Sequence, residues 1–332
     1  MMDIVTSIER WPLKEPFRIS RYTFTESLVV TVTITDDSGH LGVGECEPHG
    51  WEETVAHQQL ARAMALPGAS RQPTWLAGLT RENAPERLER NPFRNGVDCA
   101  LWDLEAKRAG VRANVLASTT ANPVRVMPTI GIDTPTEMAR RAAASLGASW
   151  IKVKLGGKDG LDPERLEAVA SALPGVPILV DPNCGWDLAE LNSMLPLAQR
   201  LGVRIIEQPL LPEFNDVMPP AFGDIRFCAD ESCLDRQSLP TVHGRFQMVN
   251  VKLDKTGGLT EALALRQAAE GLGMGVMVGM MSGTSLAVAP AFVLAQGLDV
   301  VDLEIGYMTD DRVPPMKLDN FVLQPPEAAL WG

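Results

Sequence analysis

The sequence predicts an α/β protein in which a parallel (β/α) barrel follows a smaller N-terminal α+β domain. Three observations lead there. From Val124 onward, short apolar strand patterns alternate with segments of helical periodicity. Eight strands can be counted, at 125–130, 150–155, 177–181, 203–207, 226–230, 248–252, 275–278 and 300–304. Five consecutive strands end on a charged residue, Lys154, Asp181, Glu207, Asp230 and Lys252, at steps of 22 to 27 residues that match one βα unit each.

In chain order, 4–11, 28–35 and 40–45 read as an antiparallel meander, with Asp36-Asp37-Ser38-Gly39 as the second turn. Between its first two strands, 17–27 is rich in Arg, Ser and Thr, too polar for a core and too long for a tight turn, so a binding loop is expected. A second loop, 48–51, is expected to lead through Glu52-Glu53 into a helix, with Trp51 as a packing residue. The run 96–109 carries Val97, Ala100, Leu101 and Leu104 at helical spacing and stops at Gly110. Residues 1–115 are thus expected to form the α+β domain and 116–311 the barrel, with helices over 163–173, 188–201 and 259–272. The proline-rich segment 312–332 is not another βα unit and is expected to return to the first domain.

Composition narrows the partners. A net charge of -12 disfavours nucleic acid and anionic membranes, both of which select for Lys and Arg. Asp3, Glu9 and Arg10 interrupt the first ten residues, so neither a secretory signal nor a membrane span is expected, and a cytoplasmic location follows. The five cysteines lack paired metal-ligand spacing and are expected to be reduced. A homo-oligomer acting on a small molecule is expected.

The chemistry centres on 151–155, where apolar residues alternate with Lys152 and Lys154, so both amines face one side of a strand. Repulsion between two such lysines, with partial burial, favours a neutral amine that can act as a base. Asp181, Glu207 and Asp230, from three adjacent strands, form a hard oxygen set suited to Mg²⁺. Lys154 precedes that set and Lys252 follows it, so the two amines should flank the metal from opposite sides of the barrel. That arrangement suits removal of a proton next to a carboxylate by one lysine and its return from the other, with a divalent cation stabilising the enediolate.

These pieces, Lys152-Val153-Lys154, Asp181-Pro182-Asn183, Glu207-Gln208-Pro209, Asp230-Glu231-Ser232 and Val249-Asn250-Val251-Lys252, resemble the enolase superfamily, muconate-lactonizing subgroup. Within it, 16–21, 94–107 and 228–263 most resemble the L-Ala-D/L-Glu epimerases, the dipeptide epimerases of peptidoglycan recycling. The resemblance implies an enolase-type (β/α) barrel with an N-terminal capping domain, Mg²⁺ on Asp181, Glu207 and Asp230, and acid/base roles for Lys154 and Lys252. It also implies an electrostatic or substrate-carboxylate role for Lys152, a substrate contact at Thr129, and an ammonium pocket where this chain has Asp302 and Glu304, the second one methylene longer than the usual Asp. Where Ala-Glu enzymes carry an arginine for the glutamyl carboxylate, this chain has Phe24, and the pocket segment 279–284 brings apolar Met280 and Met281. Either Arg21 or Arg18 substitutes, or the second residue of the dipeptide is not Glu. A cycloisomerase, an o-succinylbenzoate synthase-like lyase or an N-acylamino acid racemase keeps the fold and metal, but two carboxylates would repel an anionic substrate without a free amine.

Overall fold

The computed structural model describes residues 2–48, 76–219 and 221–332. Alternating apolar residues at the N-terminus build the meander β1 (Met2–Arg18), β2 (Thr23–Asp36) and β3 (Leu41–Cys46). Its apolar face, with Ile4, Val30, Val32 and Ile34, packs on Val97, Ala100, Leu101 and Leu104 of the helix Pro92–Ala109. That helix starts four residues earlier than the apolar spacing suggests, because Asn91 accepts from Arg94 N and Pro92 occupies the first turn. A Cβ on Gly44 would lie 2.1 Å from the Gly96 carbonyl, so only glycine allows this close approach of strand and helix. The expected loop 48–51 and its following helix, Trp51 included, fall outside the described residues apart from Pro48.

The segment 17–27 is not a free loop. It is the end of a long hairpin, with Phe17 paired to Phe24 and Arg18 to Thr23. Its two serines and one of its carbonyls bond to the barrel loops: Ser20 Oγ donates to Asn183 O at 3.2 Å, Ser27 Oγ to Ser282 O at 3.0 Å, and Arg18 O accepts from Ile132 N at 2.8 Å. The hairpin therefore lies across the barrel mouth.

Strands β5 (Thr129–Ile130), β6 (Ile151–Lys154), β7 (Ile178–Asp181), β8 (Val203–Glu207), β9 (Arg226–Ala229), β10 (Met248–Val251) and β11 (Gly275–Val278) pair in parallel in that order. Residues 300–304, expected as the eighth strand, make one bridge, Val278 to Val301, in place of a ladder. They still close the seam, since Asp302 N donates to Val278 O at 2.8 Å and Met127 N to Val301 O at 2.9 Å. The ladder stops there because the Glu304 side chain, not a backbone carbonyl, accepts from Thr129 N. The expected first strand is also divided. Pro128 has no N–H to donate, and β4 (Val124–Arg125) turns away to pair with β13 (Val322–Leu323), which in turn pairs with β12 (Leu318–Asp319).

The strand period of two then layers the interior. Met127, Leu179, Ile205, Cys228, Met248, Met277 and Val300 fill one level with Trp150 against them. Two residues further along each strand come Thr129, Lys152, Asp181, Glu207, Asp230, Asn250, Gly279 and Asp302. An apolar floor thus carries a polar layer.

The tail bonds to both parts of the chain. Trp331 Nε1 donates to Cys99 O at 3.0 Å, and Gly332 N to Asp103 Oδ1 at 2.6 Å. Arg312 reaches Glu45 at 2.6 Å and Glu9 at 2.7 Å. Burial pushes the Glu45 carboxyl above its usual range despite the Arg312 charge. Arg312→Met should therefore leave an uncompensated buried carboxyl and destabilise the chain by about 3–5 kcal/mol in urea unfolding, and a loss below about 1 kcal/mol would contradict this. All five cysteines are buried and free. Among the described residues, no helix is long and apolar enough to cross a membrane.

Candidate active site

The polar layer and the residues just above it form one connected network. Lys154 Nζ donates to Asp181 Oδ2 at 2.6 Å and to Asn183 Oδ1 at 3.0 Å. Lys152 Nζ lies 3.1 Å from Asp181, 2.7 Å from Glu207 and 2.7 Å from Asp302. Lys252 Nζ donates to Asp230 Oδ2 at 2.7 Å, and Asn250 Nδ2 to Glu207 Oε1 at 2.6 Å. Thr129 joins the eighth-strand pair, with its hydroxyl 3.2 Å from Asp302 and its N–H 2.7 Å from Glu304. Every polar strand-end residue singled out in the sequence is in this network, while Phe24 sits half-buried on the hairpin. Met280 adjoins it, its sulfur accepting from Glu304 N. Arg18 and Arg21 are exposed.

Strand ends position these groups. Lys154, Asp181 and Glu207 are the last residues of β6, β7 and β8. Asp230 and Lys252 come one residue after β9 and β10. The turns that follow are tight: Asn183 and Gln208 take left-handed φ values of 47° and 32°. Such backbone costs about 1–3 kcal/mol per residue and persists where surrounding bonds impose it. Here Asn183 N and Nδ2 donate to Asp181, while Gln208 Oε1 accepts from Asp230 N and Ser232 N. Gly279 leaves room for the chemistry, since a Cβ would lie 2.7 Å from Asn250 Oδ1 and 3.1 Å from Lys252 Cε.

The electrostatics of the layer are unequal. Burial acts to raise Asp181, but the Lys154 and Lys152 charges hold it at about 2. Against burial, Lys252 and Lys255 hold Asp230 far below the usual carboxylate range. Burial, then the Asp181 charge, pushes Glu207 up to about 7. Burial also raises Glu231 and Glu304 to about 7, with Asp230 and Asp302 the next causes. Burial acts to lower Lys252 and Lys152, yet the carboxylates around them lift both above the usual value, against the neutral amine expected from repulsion within the lysine pair.

The donor set fits a hard divalent cation. Six carboxylates, Asp181, Glu207, Asp230, Glu231, Asp302 and Glu304, face four ammonium groups, Lys152, Lys154, Lys252 and Lys255, so full ionisation would leave an excess of two negative charges, and without a further cation burial holds Glu207, Glu231 and Glu304 up at about 7. Glu207 Oε2 is buried and accepts no hydrogen bond, with Lys152 Nζ 2.7 Å away as an ion-pair partner. Glu231 Oε2 is also buried without a hydrogen-bond partner. Among the described residues no three His, Cys, Asp or Glu side chains already converge as a metal cage, and the Lys152 ammonium takes a central place between Asp181 and Glu207. An all-oxygen donor set with more carboxylates than ammonium groups favours Mg²⁺ over softer metals.

Three supporting residues, two of them quoted within the sequence motifs, were given no role by the sequence. Asn250 lies two positions before Lys252, hence on the same strand face, and Asn183 follows Asp181-Pro182. Those spacings could have found both. Lys255, three residues after Lys252, gave no such sign.

An apolar floor, a polar mouth and a capping hairpin define a member of the enolase superfamily. Residues 1–116 match the mandelate racemase / muconate lactonizing enzyme N-terminal domain and 136–328 the enolase C-terminal domain-like family, and the chain belongs to that family. The L-Ala-D/L-Glu epimerase of Escherichia coli K12 is 38% identical over 299 residues, 89% of this chain and 91% of that one. A solved Agrobacterium tumefaciens enolase family member with homology to dipeptide epimerases, holding sodium and L-Ala-L-Glu, is 37% identical with a TM-score of 0.90 over 100% of both chains. The Methylococcus capsulatus dipeptide epimerase, complexed with Mg and L-Arg-D-Lys, is 28% identical with a TM-score of 0.83 over 98% of both chains.

Proposed function

We propose that the chain is a Mg²⁺-dependent dipeptide epimerase, an isomerase that inverts an α-carbon by a 1,1-proton transfer. The observation that carries this is the placement of two buried amines on the second and sixth strands of an eight-membered ring, on opposite sides of the carboxylates. One lysine takes the α-proton from one face of the substrate and the other returns a proton from the opposite face. Asp181, Glu207 and Asp230 would hold Mg²⁺, which supplies positive charge beside the substrate carboxylate as the α-carbon loses its proton. Lys152, already shared among three carboxylates, adds a second cation on that side. Asp302 and Glu304 accept the substrate's α-ammonium and Thr129 contacts it, while the hairpin bearing Phe24 covers the mouth and excludes water. The direct test is α-proton exchange on L-Ala-L-Xaa dipeptides in D₂O, before and after EDTA. Exchange that survives chelation contradicts the reading.

The specificity reading rests on Phe24, with Met280 as a further apolar contact. A ring cannot form the bidentate ion pair a glutamyl carboxylate needs, and burying that carboxylate unpaired is unfavourable. An apolar second residue gains roughly 1–3 kcal/mol by burial instead. In competition, L-Ala-L-Leu or L-Ala-L-Phe should therefore exceed L-Ala-L-Glu in kcat/KM by about 10- to 100-fold, and Phe24→Arg should reverse the order. N-acetylated dipeptides should be poor substrates, for want of an ammonium to meet Asp302 and Glu304. A strong preference for Ala-Glu in the native protein would remove Phe24 from the account.

A further inference from the structure

We propose that Lys255 is a positioning residue: it fixes one oxygen of Asp230 and the strand ends around it, so that the other oxygen can serve a divalent cation. This rests on the metal-site reading above and adds a residue to it. Lys255 is only 3% exposed, yet it carries an ammonium group. Its Nζ lies 2.5 Å from Asp230 Oδ1, 2.6 Å from Asp230 O, 2.9 Å from Asn250 O and 3.1 Å from Cys233 O. Three N–H bonds are shared by four acceptors, so none remains for substrate, and Lys255 does not move the α-proton.

The contacts divide into two jobs. Lys252 approaches Asp230 through Oδ2 and Lys255 through Oδ1, so two ammonium groups grip opposite oxygens of one carboxylate. If Oδ2 exchanges Lys252 for the cation, Oδ1 stays held by Lys255, and the carboxylate keeps its orientation. The three carbonyl contacts do the second job. The β9 to β10 ladder ends at the pair Val249 and Ala229, just before Asp230. Lys255 bonds to Asp230 O, Cys233 O and Asn250 O beyond that point, taking over where backbone pairing stops. It is placed by the short helix Leu253–Thr256, whose N-cap is Lys252. The strand that carries an acid/base lysine and the strand that carries a metal ligand are thereby locked together.

Two roles for Lys255 predict opposite signs. As a bare charge, it repels a nearby cation, and its removal would tighten Mg²⁺ binding. As a positioning group, its removal loosens a ligand, which typically weakens metal affinity 10- to 100-fold. The experiment titrates Mg²⁺ calorimetrically into wild type, Lys255→Met, Lys255→Gln and Asp230→Asn, well below each variant's unfolding temperature, with circular dichroism as the check on folding. Lys255→Met is expected to weaken Mg²⁺ binding about 10- to 100-fold, and Lys255→Gln, which keeps two N–H donors, by less. A melting temperature that falls while the Mg²⁺ affinity holds would show a merely structural lysine and overturn the proposal. So would tighter binding, or failure of both variants to fold. If wild type itself binds no Mg²⁺, or Asp230→Asn binds it as well as wild type, the metal-site reading fails and the proposal with it. Those results are distinct from wild type and Lys255→Met binding equally well.

Discussion

Replacing Asp181, Glu207 or Asp230 by its amide, one at a time, is expected to stop turnover but to affect stability unequally. Each amide removes a charged oxygen donor from the proposed Mg²⁺ site, and loss of one such stabilising group costs at least on the order of 10²- to 10³-fold in kcat. Stability follows a different order. Asp230 neutralises both Lys252 and Lys255, so Asp230→Asn leaves two buried ammonium groups short of a partner and should cost about 3–5 kcal/mol. Glu207 is already pushed up to about 7 by burial and by Asp181. Its ionised form is the unfavourable one in the folded chain, and Glu207→Gln should cost little or even stabilise. Kinetics together with urea unfolding of the three variants checks both parts. Equal destabilisation by all three, or full activity in any, would contradict them.

Lys154→Met and Lys252→Met should each reduce epimerisation by at least about 10²-fold, the usual contribution of one proton-transfer group. Neither change leaves a metal-site carboxylate wholly unpaired, because Asp181 keeps Lys152 and Asp230 keeps Lys255. The loss should therefore appear in kcat more than in folding or in Mg²⁺ affinity. A variant that epimerised at the wild-type rate would remove that lysine from the chemistry.

How much could be read from the chain alone differs from residue to residue. Lys152 and Lys154 stood out because alternation on a strand puts them on one face, and Asp181, Glu207 and Asp230 because each stands at a strand end about one βα unit from the next. Local pattern was enough for these. The hairpin end 17–27 reads as a loop because its Arg and Thr are exposed, whereas cross-strand pairing and the bonds of Ser20 and Ser27 to barrel loops distant in sequence extend the hairpin through it. Tertiary contact, not polarity, decides its form. Residues 300–304 carry a strand pattern, but the Glu304 carboxylate takes the Thr129 N–H that a ladder would use. Lys255 could not have been found in this way, because three of its four acceptors are backbone carbonyls, which residue types do not reveal.

The central claim is that two lysines serve opposite faces of one α-carbon, and isotope exchange in the single-lysine variants tests it most directly. Each purified epimer of a substrate dipeptide is incubated in D₂O with Mg²⁺ and either Lys154→Met or Lys252→Met, and the α-proton signal is followed by NMR. The account predicts that each variant exchanges the α-proton of one epimer only, without inversion, and that the two variants act on opposite epimers. Exchange of the same epimer by both variants, or continued inversion by either, would contradict it.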